Sequence, residues 1–113
     1  YAPEPSHGWC YYFSQAELAR QQADWQQVTA LGDTAFALGD TPNEPMERLV
    51  FVEGYAHAGN WQRALELSEE SYRVTPLMSP PLCALWQRIA NETPAGSQRD
   101  EALRTAGAAF DCP

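Results

Sequence analysis

Lysine is absent from this chain. All seven cations are arginines, set against 15 carboxylates, for a formal net charge of −8 over 113 residues. An acidic surface of this kind repels phosphate backbones and anionic headgroups, which argues against binding nucleic acid or an anionic membrane. The charge has two readings: a solvated helical surface, or a surface selective for a basic protein or peptide partner. Long apolar runs are also missing, and no stretch approaches the roughly 20 residues of a membrane span. Histidine is scarce, with two residues, and the three cysteines contain no C-x-x-C. His7 and Cys10 are half of a metal motif whose second pair is nowhere at ligand spacing, so no metal or cofactor is expected. The chain opens Tyr-Ala-Pro-Glu-Pro, with neither Met nor a basic flank. It reads as a piece of a longer protein whose signal or membrane tether lies upstream.

The composition that is present, 44% apolar and 19% charged, is that of an ordinary folded domain. The length fits one domain with a modest core. Its clearest internal feature is an echo. Asp24-Trp25-Gln26-Gln27-Val28 returns as Asn60-Trp61-Gln62-Arg63-Ala64, an offset of 61 − 25 = 36 residues. That period is the size of one helix-turn-helix unit, and such units stack into scaffolds.

Residues 1–8 carry two prolines and no helical period, and read as a linker or arm. Residues 9–113 then form the helical domain. Trp9, Tyr12, Phe13, Ala16 and Ala19 recur at steps of three and four and predict a first helix over 9–22. Asp24 caps a second, whose stripe is Trp25, Val28, Leu31, Ala35 and Leu38, with Gly39 ready for a left-handed terminus. After a turn at 40–45, Pro45 opens a third helix over 45–58. Asn60 caps the fourth, which Thr75-Pro76 stops. Ser79 is expected to cap a fifth helix on Leu82, Leu85, Trp86, Ile89 and Ala90. Ser97 with Asp100 resembles a capping box for the sixth, with Ala102, Leu103, Ala106, Ala109 and Phe110 inside. The fold class is therefore all-α: six helices in three antiparallel hairpins, stacked as a short array.

The second unit resembles the tetratricopeptide repeat, a helix pair of about 34 residues with small residues at fixed places. Tyr55 matches the tyrosine of helix A, Gly59-Asn60-Trp61 the turn, Ala64 and Ser71 the small sites of helix B, and Pro76 the terminal proline. The first unit keeps the turn at Ala23-Asp24-Trp25 and the small site at Ala35. Val28, Ala19 and Asp40 replace its other signature residues. The third unit has lost the turn tryptophan and carries a longer loop. The run His7-Gly-Trp-Cys-Tyr-Tyr-Phe bears a fainter resemblance to C-terminal soluble domains of bacterial membrane proteins of the glycosyltransferase type. The repeat resemblance implies a ligand groove on the face made by the first helices of the hairpins. Carried onto units one and two, it points to Phe13, Glu17, Arg20, Met46, Leu49, Glu53 and His57, while Tyr55 is core.

Other chemistry is sparse. Cys83 near the start of helix five and Cys112 past the end of helix six are neighbours in an antiparallel hairpin. They either form a disulfide, which needs an oxidising compartment outside the cytoplasm, or remain two buried thiols. Cys10, among aromatic residues, is expected to be a buried small hydrophobe. Glu53 stands one turn before His57, but sequence order supplies no nucleophile for a catalytic dyad. Glu69 and Glu70 point apart on a helix and cannot flank a glycosidic bond. Trp9, Trp25, Trp61 and Trp86 are expected to pack. The expected function is non-catalytic: a protein-interaction or scaffolding module, the C-terminal soluble part of a larger bacterial protein. The alternative is an accessory domain of a membrane-bound glycosyltransferase-type enzyme.

Overall fold

A computed structural model describes residues 8–39 and 44–113. Most of the expected arm, His7 included, and most of the turn at 40–45 lie outside the described residues. Within them all regular structure is helical: α1 (Trp9–Gln21), α2 (Trp25–Ala37), α3 (Leu49–His57), α4 (Trp61–Val74), α5 (Ser79–Glu92) and α6 (Ser97–Ala109). Short 3-10 turns, Pro45–Arg48 and Pro76–Met78, lead into α3 and α5. The helices pair as hairpins α1/α2, α3/α4 and α5/α6. Each hairpin's first helix also packs on the next, α1 on α3 and α3 on α5, while α2 meets α3 and α4 meets α6.

The 36-residue echo is a repeated turn. Asp24 (φ −89°, ψ 74°) and Asn60 (φ −90°, ψ 74°) share one backbone geometry. Asp24 Oδ1 accepts from Gln27 N and Asn60 Oδ1 from Arg63 N, both at 3.2 Å. Both residues also donate backward across five positions, Asp24 N to Ala19 O at 2.9 Å and Asn60 N to Tyr55 O at 2.8 Å. Closing that wide loop requires a left-handed residue just before the cap. Gly59 supplies it at φ 83°, and Ala23 adopts the same region at φ 55° despite its Cβ.

Small residues set the helix spacing. A Cβ on Gly54 would lie 2.3 Å from Val28 Cγ1, so α2 and α3 approach more closely than a methyl group allows. In the second hairpin Ser68 and Ser71 are fully buried, with both hydroxyls satisfied. Ser68 Oγ accepts from Trp86 Nε1 at 3.0 Å, and Ser71 Oγ donates to Pro45 O at 2.9 Å. The core they border includes Phe51, Leu67, Leu82, Ile89 and Phe110.

Several local expectations are corrected. The first turn of helix three is 3-10, because Pro45 and the preceding extended Glu44 tighten the entry. The rest of that helix, Leu49–Val52 included, is α-helical as expected. Ser79 does not cap α5. It is already helical, and its Oγ donates across the hairpin to Phe110 O at 2.6 Å. The capping box at Ser97 is absent: Gly96 occupies the cap position without a side-chain bond. Ala109 is exposed because α6 ends there and only Phe110 turns back into the core. Cys10 is an exposed free thiol rather than a buried one. It follows the buried Trp9, and adjacent helical positions point about 100° apart. Trp25 and Trp61 pack as half-buried covers over the core, whereas Trp9 and Trp86 are inside it.

Candidate functional site

The first helices of the three hairpins, α1, α3 and α5, lie side by side and enclose a cleft of about 390 Å³. Its walls are Glu17 and Arg20 from α1, Met46 and Leu49 at the entry to α3, and Pro81, Ala84, Leu85 and Arg88 from α5. Glu53 lies at the centre with 2% of its surface exposed. A buried carboxylate survives only if its charge is paired and its lone pairs are used. Here Arg20 Nε donates to Oε1 at 2.7 Å, and Arg88 donates from NH2 to Oε1 and from Nε to Oε2, both at 3.1 Å. Burial pushes the Glu53 carboxyl up, but the hydrogen bonds and charges of Arg88 and Arg20 outweigh it and hold the pKa below its ordinary range. The same bonds to Glu53 raise Arg88 above the ordinary arginine value. The cluster thus ties three hairpins together with one ion-paired carboxylate.

A second cleft adjoins the first across Arg20, Glu53 and Arg88, and runs to Trp25 and Glu92. Here His57 stacks on Trp25, with ring centroids 4.0 Å apart and planes 10° from parallel. His57 Nε2 is buried without a hydrogen-bond partner, 4.0 Å from Glu92 Oε1. Glu53, His57 and Glu92 bring potential ligand atoms within 4.8 Å of one another. The donor set does not fit a cation, because both Glu53 oxygens are already engaged and two guanidinium groups crowd the place a metal would take.

Five of the seven groove residues expected from the sequence meet in the main cleft: Glu17, Arg20, Met46, Leu49 and Glu53. Phe13 instead packs against the core. His57 is turned away, toward Trp25 and Glu92, and also lines a separate cleft with Trp61, Pro94 and Arg99. Sequence reasoning missed Arg88, the residue that completes the ion-pair cluster. Its signal was present: Glu17, Glu53 and Arg88 recur at steps of 53 − 17 = 36 and 88 − 53 = 35. Carrying the repeat one unit further would have placed Arg88 on the same face.

At the far end of α5 and α6, Cys83 and Cys112 are joined, with Cα atoms 5.5 Å apart. Comparisons with protein-family models, with curated proteins and with solved structures return no match.

Proposed function

We propose that this domain is a non-catalytic interaction module of the tetratricopeptide type, the soluble C-terminal part of a larger bacterial protein, and that its ligand lies along α1, α3 and α5. The observation that carries this reading is the cleft lined by the first helices of all three hairpins. Its rim offers Met46, 52% exposed, beside the partly buried Leu49, with Glu17 and Glu92 at the edges. Such a surface suits a short segment presenting one apolar and one basic side chain, and a partner of basic character also suits the net charge of −8. The central charges are already paired with one another, which favours a static binding surface over acid-base chemistry. The bridge between Cys83 and Cys112 supports a location in an oxidising compartment.

The test is a soluble peptide library screened against the whole domain. Peptides retained by the wild type should be lost by Met46→Asp and Arg88→Ala, and kept by Leu77→Asp, which lies outside the cleft. Equal retention by all four proteins removes the groove reading.

A further inference from the structure

The turn tryptophans of the first two hairpins meet different surroundings. Trp25 is covered by a ring from the next hairpin, the stacked His57. The 35-residue step from Glu53 to Arg88 carries His57 onto Glu92 in the third hairpin. Glu92 offers no ring, and its carboxylate lies toward His57 and Arg88. Trp61 therefore lacks the cover that Trp25 has. Its neighbour Trp86 is tilted by 36° with centroids 6.3 Å apart, not stacked.

A cleft of about 380 Å³ lies between Trp61 and the loop that follows α5, a volume at the lower end for small-molecule sites. Its wall runs from His57 and Trp61 through Thr93 and Pro94 to Ser97 and Arg99. Among the described residues no Asp or Glu lines it, although the molecule carries −8 overall. The α1/α3/α5 cleft, by contrast, contains Glu17 and Glu53. Arg99 is largely buried, with 17% of its side chain exposed. Its NH2 donates to Ala90 O at 2.8 Å, which pins the guanidinium against the end of α5. That bond uses one donor of the fork and leaves others over. Nε has no hydrogen-bond partner, since the exposed Asp100 carboxylate stands 3.9 Å away.

We propose that this cleft binds a flat organic acid, with an aromatic ring stacked on Trp61 and a carboxylate received by Arg99. Two independent observations select that ligand. The first hairpin shows what its turn tryptophan accepts: His57 lies on Trp25 with centroids 4.0 Å apart and planes 10° from parallel. A ligand ring on Trp61 repeats that contact one hairpin further on. The charge of the ligand follows from Arg99, a cation on a wall without a competing carboxylate. A guanidinium fork matches the two oxygens of a carboxylate. Two sources present this pair of groups, a free aryl acid and the C-terminus of a peptide ending in an aromatic residue. The site shares no lining residue with the α1/α3/α5 cleft, so its test is independent of the groove.

The experiment follows the Trp61 indole N–H resonance of the nitrogen-15-labelled domain, identified by its loss in Trp61→Phe. Phenylacetate should move it saturably, with dissociation at roughly 0.1–1 mM for so small a ligand. Phenylacetamide, which keeps the ring and loses the charge, should bind at least about tenfold more weakly. Arg99→Gln should weaken phenylacetate by a similar factor and leave phenylacetamide unchanged, which a merely structural role for Arg99 would not produce. Arg99→Lys keeps the charge without the fork and should fall between; it stands in if the glutamine variant loses its circular dichroism spectrum. Arg104→Gln removes the same charge from an exposed position on α6 outside the cleft and should match the wild type. The peptide Gly-Gly-Phe separates the sources: tighter binding than phenylacetate, lost on amidation, assigns a chain terminus, and weaker binding assigns a free acid. No saturable shift below about 10 mM phenylacetate overturns the proposal. Equal binding of acid and amide, or an Arg99→Gln variant that binds the acid as well as the wild type, does so too.

Discussion

Glu53 accepts from Arg88 through both carboxylate oxygens, and from Arg20 through one of them. One buried anion is therefore shared by α1, α3 and α5. Glu53→Gln keeps the shape and removes the charge. Both guanidinium groups retain water contact, so the cost should be about 2 kcal/mol, below that of breaking a fully buried pair. The folded pKa lies below the ordinary 4.5, so this contribution is present above about pH 4.5 and is lost as pH falls through the folded value. Urea titrations at pH 7 and pH 3 should show the gap between wild type and variant closing in acid.

Tyr55 behaves in the opposite sense. Burial, and then the bond to Asp33, raise its phenol above the ordinary value of 10.0. The neutral hydroxyl is favoured in the folded state, so its stabilisation is present below pH 10 and lost as pH rises beyond it. Tyr55→Phe should cost about 1 kcal/mol at neutral pH, since the exposed Asp33 can turn to water. Above pH 10 the wild type should lose that advantage, which alkaline thermal melts would register.

The equivalent turns make a paired prediction. Ala23 and Gly59 occupy the same left-handed position, and a Cβ at Gly59 would meet nothing within 4 Å. Only backbone strain separates the two residues. Ala23→Gly should stabilise by about 0.5–1 kcal/mol and Gly59→Ala destabilise by about 1 kcal/mol. Chemical denaturation of both variants checks the pair. Two changes of the same sign would mean that the turns are not equivalent.

Cys112→Ser opens the link to Cys83, 29 positions away. The loss should be about 3 kcal/mol, seen as a lower denaturation midpoint, with a matching shift when the wild type is reduced. Mass spectrometry of the unreduced protein should return the Cys83 and Cys112 peptides as one species.

The helices and their order were legible because the punctuation is local. Asp24, Asn60, Gly59 and Thr75-Pro76 act on the residues beside them, and their meaning does not depend on distant contacts. Ser79 and Ser97 were misread for the converse reason. Each has the right neighbours for a cap, but each already lies inside its helix, and the Ser79 hydroxyl donates instead to Phe110 O, 31 residues away. Cys10 was placed inside on the company it keeps, although one helical step rotates it off the buried face. The cleft was half legible. Glu17 and Glu53 follow from the repeat, whereas the pairing of Arg88 with Glu53 spans 35 positions and needs the third hairpin to be in place. The close approach of Gly54 to Val28 is a tertiary fact that the sequence marks only by a glycine inside an apolar helix.

The bridge between Cys83 and Cys112 also changes what a protease can do to this molecule. It makes α5, the connecting loop and α6 a closed ring. The most accessible cleavage sites in that ring are the exposed residues Pro94, Ala95 and Gly96. A cut there severs the backbone and leaves both pieces covalently attached, each helix still seated on its neighbours. Nicked protein should keep its full mass on a non-reducing gel and separate into two fragments only after reduction.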